Sequence, residues 1–210
     1  VLMQPDFGGA AGLAMLLFVM SLVCGTRFIY LVLSLAMGVG AAWMLILQEP
    51  YRLKRMMAFM NPFEDALDSG YQLVQSLYGL GMGGAWGVGL GAGKQKLFFL
   101  PEAHNDFIIA VVGEELGFMG VSLVFVLLAI LIWRGFVVAL RQEELANRFL
   151  AYGATMILAL GAVLNMAVVL GAAPPKGVPM PFLSYGGSSL ITSFLCVGLL
   201  LNVSRQGGGQ

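Results

Sequence analysis

The sequence predicts an all-α membrane protein: a single helix bundle of five transmembrane helices with one large loop between the second and the third. Three observations lead there. Of the 210 residues, 59% are hydrophobic and only 10% are charged, whereas soluble domains carry about 25% charged residues. The apolar residues gather into five long runs, each close to the ~20 residues needed to cross ~30 Å of hydrocarbon. The runs are apolar all round rather than alternating, which suits helices, because lipid tolerates no unpaired backbone.

The first run, from Phe7 to Thr26, holds no charge and is closed by Arg27. The second, from Phe28 to Gln48, ends at Glu49-Pro50. The third covers Leu116 to Trp133 and can begin as early as Phe107, with Glu114 and Glu115 in its first turns. The fourth runs from Phe149 to Ala173 and the fifth from Ser188 to Val203. The chain starts Val1-Leu2-Met3-Gln4-Pro5, with neither an initiator Met nor a basic segment before the first run. The expectation is therefore the C-terminal piece of something longer, with residues 1–210 as one membrane domain.

Five spans put the chain ends on opposite sides. One side receives Arg27, the 134–148 turn with Arg134, Arg141 and Arg148, and the terminal Arg205. The other receives Arg52, Lys54, Arg55, Lys94, Lys96 and Lys176, five of them in the loop from Glu49 to Asp106. Positive residues set orientation through short loops and count for little in long ones. The short arginine-bearing loops are thus expected to be cytoplasmic and the 49–106 loop extracytoplasmic. That loop carries Tyr51, Phe59, Phe63, Tyr71, Tyr78, Trp86, Phe98 and Phe99, so it is expected to be a partly ordered cap over an external cavity.

Composition also excludes functions. The formal net charge is zero, so no basic field points to nucleic acid. Cys24 and Cys196 lie in apolar runs, and His104 is the single histidine, so neither a disulfide framework nor a metal cluster is expected. Gly79-Leu80-Gly81-Met82-Gly83-Gly84 matches G-x-G-x-x-G by letter, but lacks the preceding strand that a dinucleotide site requires. A tight glycine-rich loop is the better reading of Gly79 to Gly93.

Two stretches carry chemistry. Pro101-Glu102-Ala103-His104-Asn105-Asp106-Phe107 places three titratable groups where the long loop enters the third run. Asp106 there reads equally as a helix cap or as a catalytic carboxylate. Glu114 and Glu115 lie deeper, where carboxylates are either functional or tightly paired. Asn165 reads as glue between helices or as part of a polar cavity. In the second stretch, four prolines between Pro174 and Pro181 forbid helix, and Ser184-Tyr185-Gly186-Gly187-Ser188-Ser189 leads into the fifth run. The N–H groups at that helix start suit an anion, and Lys176 adds a full positive charge.

These stretches resemble the FtsW branch of the SEDS family (shape, elongation, division and sporulation proteins). The resemblance is carried by Gln4-Pro5-Asp6-Phe7-Gly8, by Asn61-Pro62-Phe63-Glu64-Asp65 through Gln75-Ser76, and by Gln95-Lys96-Leu97 through Gly113-Glu114-Glu115-Leu116-Gly117. Pro175-Lys176-Gly177 through Ser188-Ser189 completes it. Asn105 and Pro175 stand where the family usually has threonine. The resemblance implies ten spans, of which these are the last five, in the bacterial cytoplasmic (inner) membrane at the division septum. It implies a peptidoglycan glycosyltransferase that polymerises lipid II on undecaprenyl-pyrophosphate-linked glycan, with the family's essential aspartate at Asp106. Its implied partners are a class B penicillin-binding protein and other division membrane proteins. With half the spans, residues 1–210 alone are expected to be inactive.

On that reading Asp106 is the catalytic base, and Lys176, Lys96 and the start of the fifth helix stabilise the pyrophosphate. A divalent cation could share that role. Glu102, His104, Glu114, Glu115, Ser184, Tyr185, Gly186 and Gly187 are the other candidate substrate contacts. A flippase or transporter of the lipid-linked precursor is the first alternative, but transporters bind near the bilayer midplane, whereas the ionisable groups here crowd the external side. A non-catalytic division scaffold is the second.

Overall fold

The computed structural model describes residues 7–47, 56–57, 59–64, 66, 68, 70–96, 100–101, 104–175 and 177–206. Among them regular structure is helical, and six helices carry the architecture: α1 (Phe7–Val23), α2 (Phe28–Leu47), α3 (Tyr71–Gly83), α4 (Ile108–Leu140), α5 (Leu145–Val169) and α6 (Gly187–Gln206). Three of these, α4, α5 and α6, are long and apolar enough to cross a membrane. Their outward faces carry exposed Phe118, Leu123, Ile130, Trp133, Ile191 and Leu201, a surface suited to lipid or to further apolar helices rather than to water. The chain is a helical membrane protein.

Several expected boundaries move. α1 stops at Val23, where Gly25 adopts φ 74°, instead of reaching Thr26. α5 sits four residues earlier in the chain than the fourth apolar run. The third run, expected over 116–133, becomes the 33-residue α4, about 50 Å long at 1.5 Å per residue. The 49–106 loop contains a helix, α3, which takes in Gly79 to Gly83. The glycine run therefore begins as helix, and only from Gly84 onward does it become the expected tight loop. Hydrophobic length alone missed these ends, because charged and glycine-rich turns can continue a helix once tertiary partners cover them.

α5 is the centre of the bundle, packed against α4, α6, α1 and α3, while α2 rests on α1. Two cores result. Near the end that carries the loops, Phe107, Ile109, Ala110, Val168, Val169 and Met180 form one. Toward the opposite end, Ala139, Ala151, Ala154, Leu158, Cys196 and Leu200 form the other. The small residues in the second allow close helix approach: a Cβ added at Gly135 would overlap the Thr155 hydroxyl.

α4 is interrupted at Gly117, whose φ 67° and ψ −165° are not helical. An unbroken helix would bond the N–H of Phe118 to the carbonyl of Glu114, and that of Met119 to Glu115. Instead Phe118 and Met119 donate to the carbonyls of Gly84 and Ala85, at 2.9 and 3.2 Å. Val88 and Gly89 donate in turn to the freed carbonyls of Glu114 and Glu115, at 2.9 and 3.0 Å. The glycine loop thus remakes both broken bonds, as backbone away from water requires. The fit leaves no room for side chains, since a Cβ at Gly117 or at Gly87 would overlap backbone atoms of the facing segment.

Candidate functional site

Asp106 lies one residue before Phe107, the N-cap of α4, which makes no side-chain capping bond. Its carboxyl faces the proline-rich segment: an atom at the Cβ position of Gly177 would stand 3.1 Å from Asp106 Oδ2. A cleft of about 290 Å³ opens there, lined by Asn105, Asp106, Pro179, Ser184, Tyr185, Gly186, Gly187, Ser188 and Ser189. The start of α6 at Gly187 forms one wall, so its first N–H groups border the cleft that holds the carboxylate.

Three residues, Tyr185, Ser184 and Asn165, bind the two segments into one unit. The N–H of Tyr185 donates to the carbonyl of His104 at 2.9 Å. Ser184 Oγ donates to the carbonyl of Asn105 at 2.5 Å and accepts from the N–H of Met180 at 2.6 Å. Asn165 Nδ2, from α5, donates to the carbonyls of Asp106 and Val178, each at 2.7 Å. Phe182 holds φ 66° at the turn between these contacts, a conformation unusual for a large residue. Its ring is packed edge-on against Phe194 at 5.6 Å.

The expected site residues divide into two places. His104, Asp106, Ser184, Tyr185, Gly186 and Gly187 come together at the cleft or its rim. Lys96, Glu114 and Glu115 do not join them. Glu114, 1% exposed, accepts the N–H of Lys94 at 2.8 Å and of Gln95 at 3.0 Å, and Lys96 Nζ pairs with Glu115 at 2.6 Å. These three fasten the glycine loop to α4. Glu102 and Lys176 lie outside the described residues. Sequence reading singled out Asn165 without finding what it binds, because its partners are backbone carbonyls 59 and 13 residues away. Ser188, Ser189 and Pro179 were legible only as parts of a helix start and a proline-rich turn.

A cleft that holds a carboxylate beside a helix N-terminus, at one end of an apolar helix bundle, defines a membrane protein with a polar site at the end of its bundle. A model of the family described as cell cycle protein, covering FtsW, RodA and SpoVE, matches residues 1–208. The chain belongs to this family, the SEDS family that its motifs resemble. It is 48% identical over 204 residues to the probable peptidoglycan glycosyltransferase FtsW of Trichlorobacter lovleyi, covering 97% of this chain and 54% of that protein. It is 44% identical over 205 residues to the stage V sporulation protein E of Bacillus subtilis, covering 98% and 56%. Among solved structures it is similar, at TM-score 0.80 and 30% identity, to a chain of a peptidoglycan synthase complex that coordinates polymerization and crosslinking, covering 100% of this chain and 58% of that one. The rod shape determining protein RodA of Thermus thermophilus matches at TM-score 0.62 and 29% identity, over 100% and 53%. The chain thus spans about half the length of the curated relatives it matches.

Proposed function

We propose that residues 1–210 are the last five of ten spans in a peptidoglycan glycosyltransferase that polymerises lipid II during bacterial division. Residues 49–106 would be its large extracytoplasmic loop, and the cleft would open at the outer face of the cytoplasmic membrane. The observation that carries this reading is the Asp106 carboxylate in a cleft bordered by the start of α6. The relatives' names support the reaction class, and the neighbouring synthase complex supports a crosslinking penicillin-binding protein as partner.

The reaction is one inverting displacement. Asp106 takes the proton from the acceptor sugar hydroxyl, whose oxygen forms the new bond to the anomeric carbon. The bond to the lipid pyrophosphate breaks and its oxygen leaves with the electron pair. Developing negative charge is met by the N–H groups at the start of α6 and by Lys176. Among the described residues no group of three His, Cys, Asp or Glu side chains gathers for a metal ion. Lys96, Glu114 and Glu115 serve as a brace for the glycine loop in this scheme, not as substrate contacts.

The test is Asp106→Asn in the complete ten-span protein with its partner. Asparagine keeps the shape but cannot accept the proton, so lipid II polymerisation falls by roughly 10²–10⁴ while the complex still co-purifies. A near-parental rate would reject the base assignment and favour a scaffold role.

A further inference from the structure

The carbonyls of His104, Asn105 and Asp106 are consecutive, and each is taken by a different donor: Tyr185 N–H, Ser184 Oγ and Asn165 Nδ2. We propose that Asn165 and Ser184 are positioning residues, which clamp the backbone of Asp106 to the 177–186 turn and so determine where its carboxylate stands. The inference rests on Asp106 being the general base.

Asn165 is 1% exposed on α5, a helix that contributes to both cores. It therefore offers a rigid frame. Its nitrogen serves Asp106 and Val178 together, so one side chain joins the segment bearing the carboxylate to the proline-rich segment facing it. Among the described residues its oxygen is buried without a hydrogen-bond partner. That arrangement is costly for a residue whose task is stability alone, since a buried unpaired acceptor is unfavourable. Turning the amide over does not relieve it, because the oxygen would then face two carbonyl oxygens. What the residue does accomplish is the two-carbonyl clasp beside Asp106.

Ser184 acts from the other side. It is 2% exposed, and its hydroxyl is committed in both directions, to the carbonyl of Asn105 and to the N–H of Met180. Neither side chain has a donor left over for substrate, and the Asn165 oxygen is closed off from the cleft by burial, so both reach the reaction through Asp106. Displacing a reacting group by about 1 Å can cost roughly 10²-fold in rate, which is the scale such a clamp controls.

The experiment uses the complete ten-span protein with its penicillin-binding partner and lipid II. Asn165→Ala and Ser184→Ala are expected to lower kcat by roughly 10- to 100-fold, with KM changed less than about threefold and partner co-purification intact. Ser184→Thr keeps the hydroxyl and recovers most of the rate. On an Asp106→Asn background, each alanine variant adds less than about a twofold further loss, as expected for groups acting as a unit. Parental kcat in both alanine variants overturns the inference. So do losses confined to KM, a threonine variant no better than alanine, or full additivity with Asp106→Asn. Should Asn165→Ala fail to co-purify, the Ser184 pair decides. A parental rate in Asp106→Asn itself would instead overturn the base assignment on which the clamp depends.

Discussion

Glu114 gives the sharpest separation between a structural and a substrate-binding carboxylate. Its two oxygens accept the backbone N–H groups of Lys94 and Gln95 at 2.8 and 3.0 Å, in a site where the side chain is 1% exposed. Glu114→Gln keeps one acceptor but turns an NH₂ group toward the other N–H, leaving a buried donor unpaired. A bond to a carboxylate contributes about 1.5–3 kcal/mol, so local opening of the loop should become easier by that amount. At 1.36 kcal/mol per factor of ten, amide exchange at Lys94 and Gln95 should accelerate by roughly 10- to 150-fold. Hydrogen exchange read by mass spectrometry on the purified protein measures it, with peptides from α5 as the internal standard. Exchange at 94–95 equal to that of the parent would refute the brace. Lost polymerisation combined with unchanged exchange would show that Glu114 meets substrate after all.

Two further predictions follow from packing and from orientation. A Cβ at Gly83 would overlap the carbonyl oxygen of Gly113, whereas one at Gly81 meets nothing within 4 Å. Gly83→Ala should therefore destabilise by about 3 kcal/mol, the upper end of overpacking costs because backbone cannot step aside, and Gly81→Ala should stabilise by up to about 1 kcal/mol; melting in detergent checks both. With Cys24 and Cys196 replaced, single cysteines at the exposed positions Asp68 and Glu143 should label from outside and inside the cell respectively. Reaction at 143 with an impermeant reagent added to intact cells would reverse the proposed orientation.

Much of the protein was legible as a string of residues, and the reason is the solvent. Lipid demands long uncharged helices, so apolar runs announce themselves, and the run of 149–173 became α5 with a shift of only a few residues. The motif around Asp106 and the turn at 184–187 were also visible, because titratable groups and prolines are conspicuous in so apolar a chain. Only the tertiary structure divided the charged residues into two places. Glu114 and Asp106 stand eight residues apart in sequence, yet one braces a glycine loop and the other faces a cleft. The break at Gly117 was equally hidden, because a glycine within an apolar run reads as helix until the freed carbonyls of Glu114 and Glu115 accept from Val88 and Gly89. Asn165 could be read as polar and buried, but not as a clamp. Its partners are main-chain carbonyls, which every residue possesses, so only the path of the folded chain selects those of Asp106 and Val178.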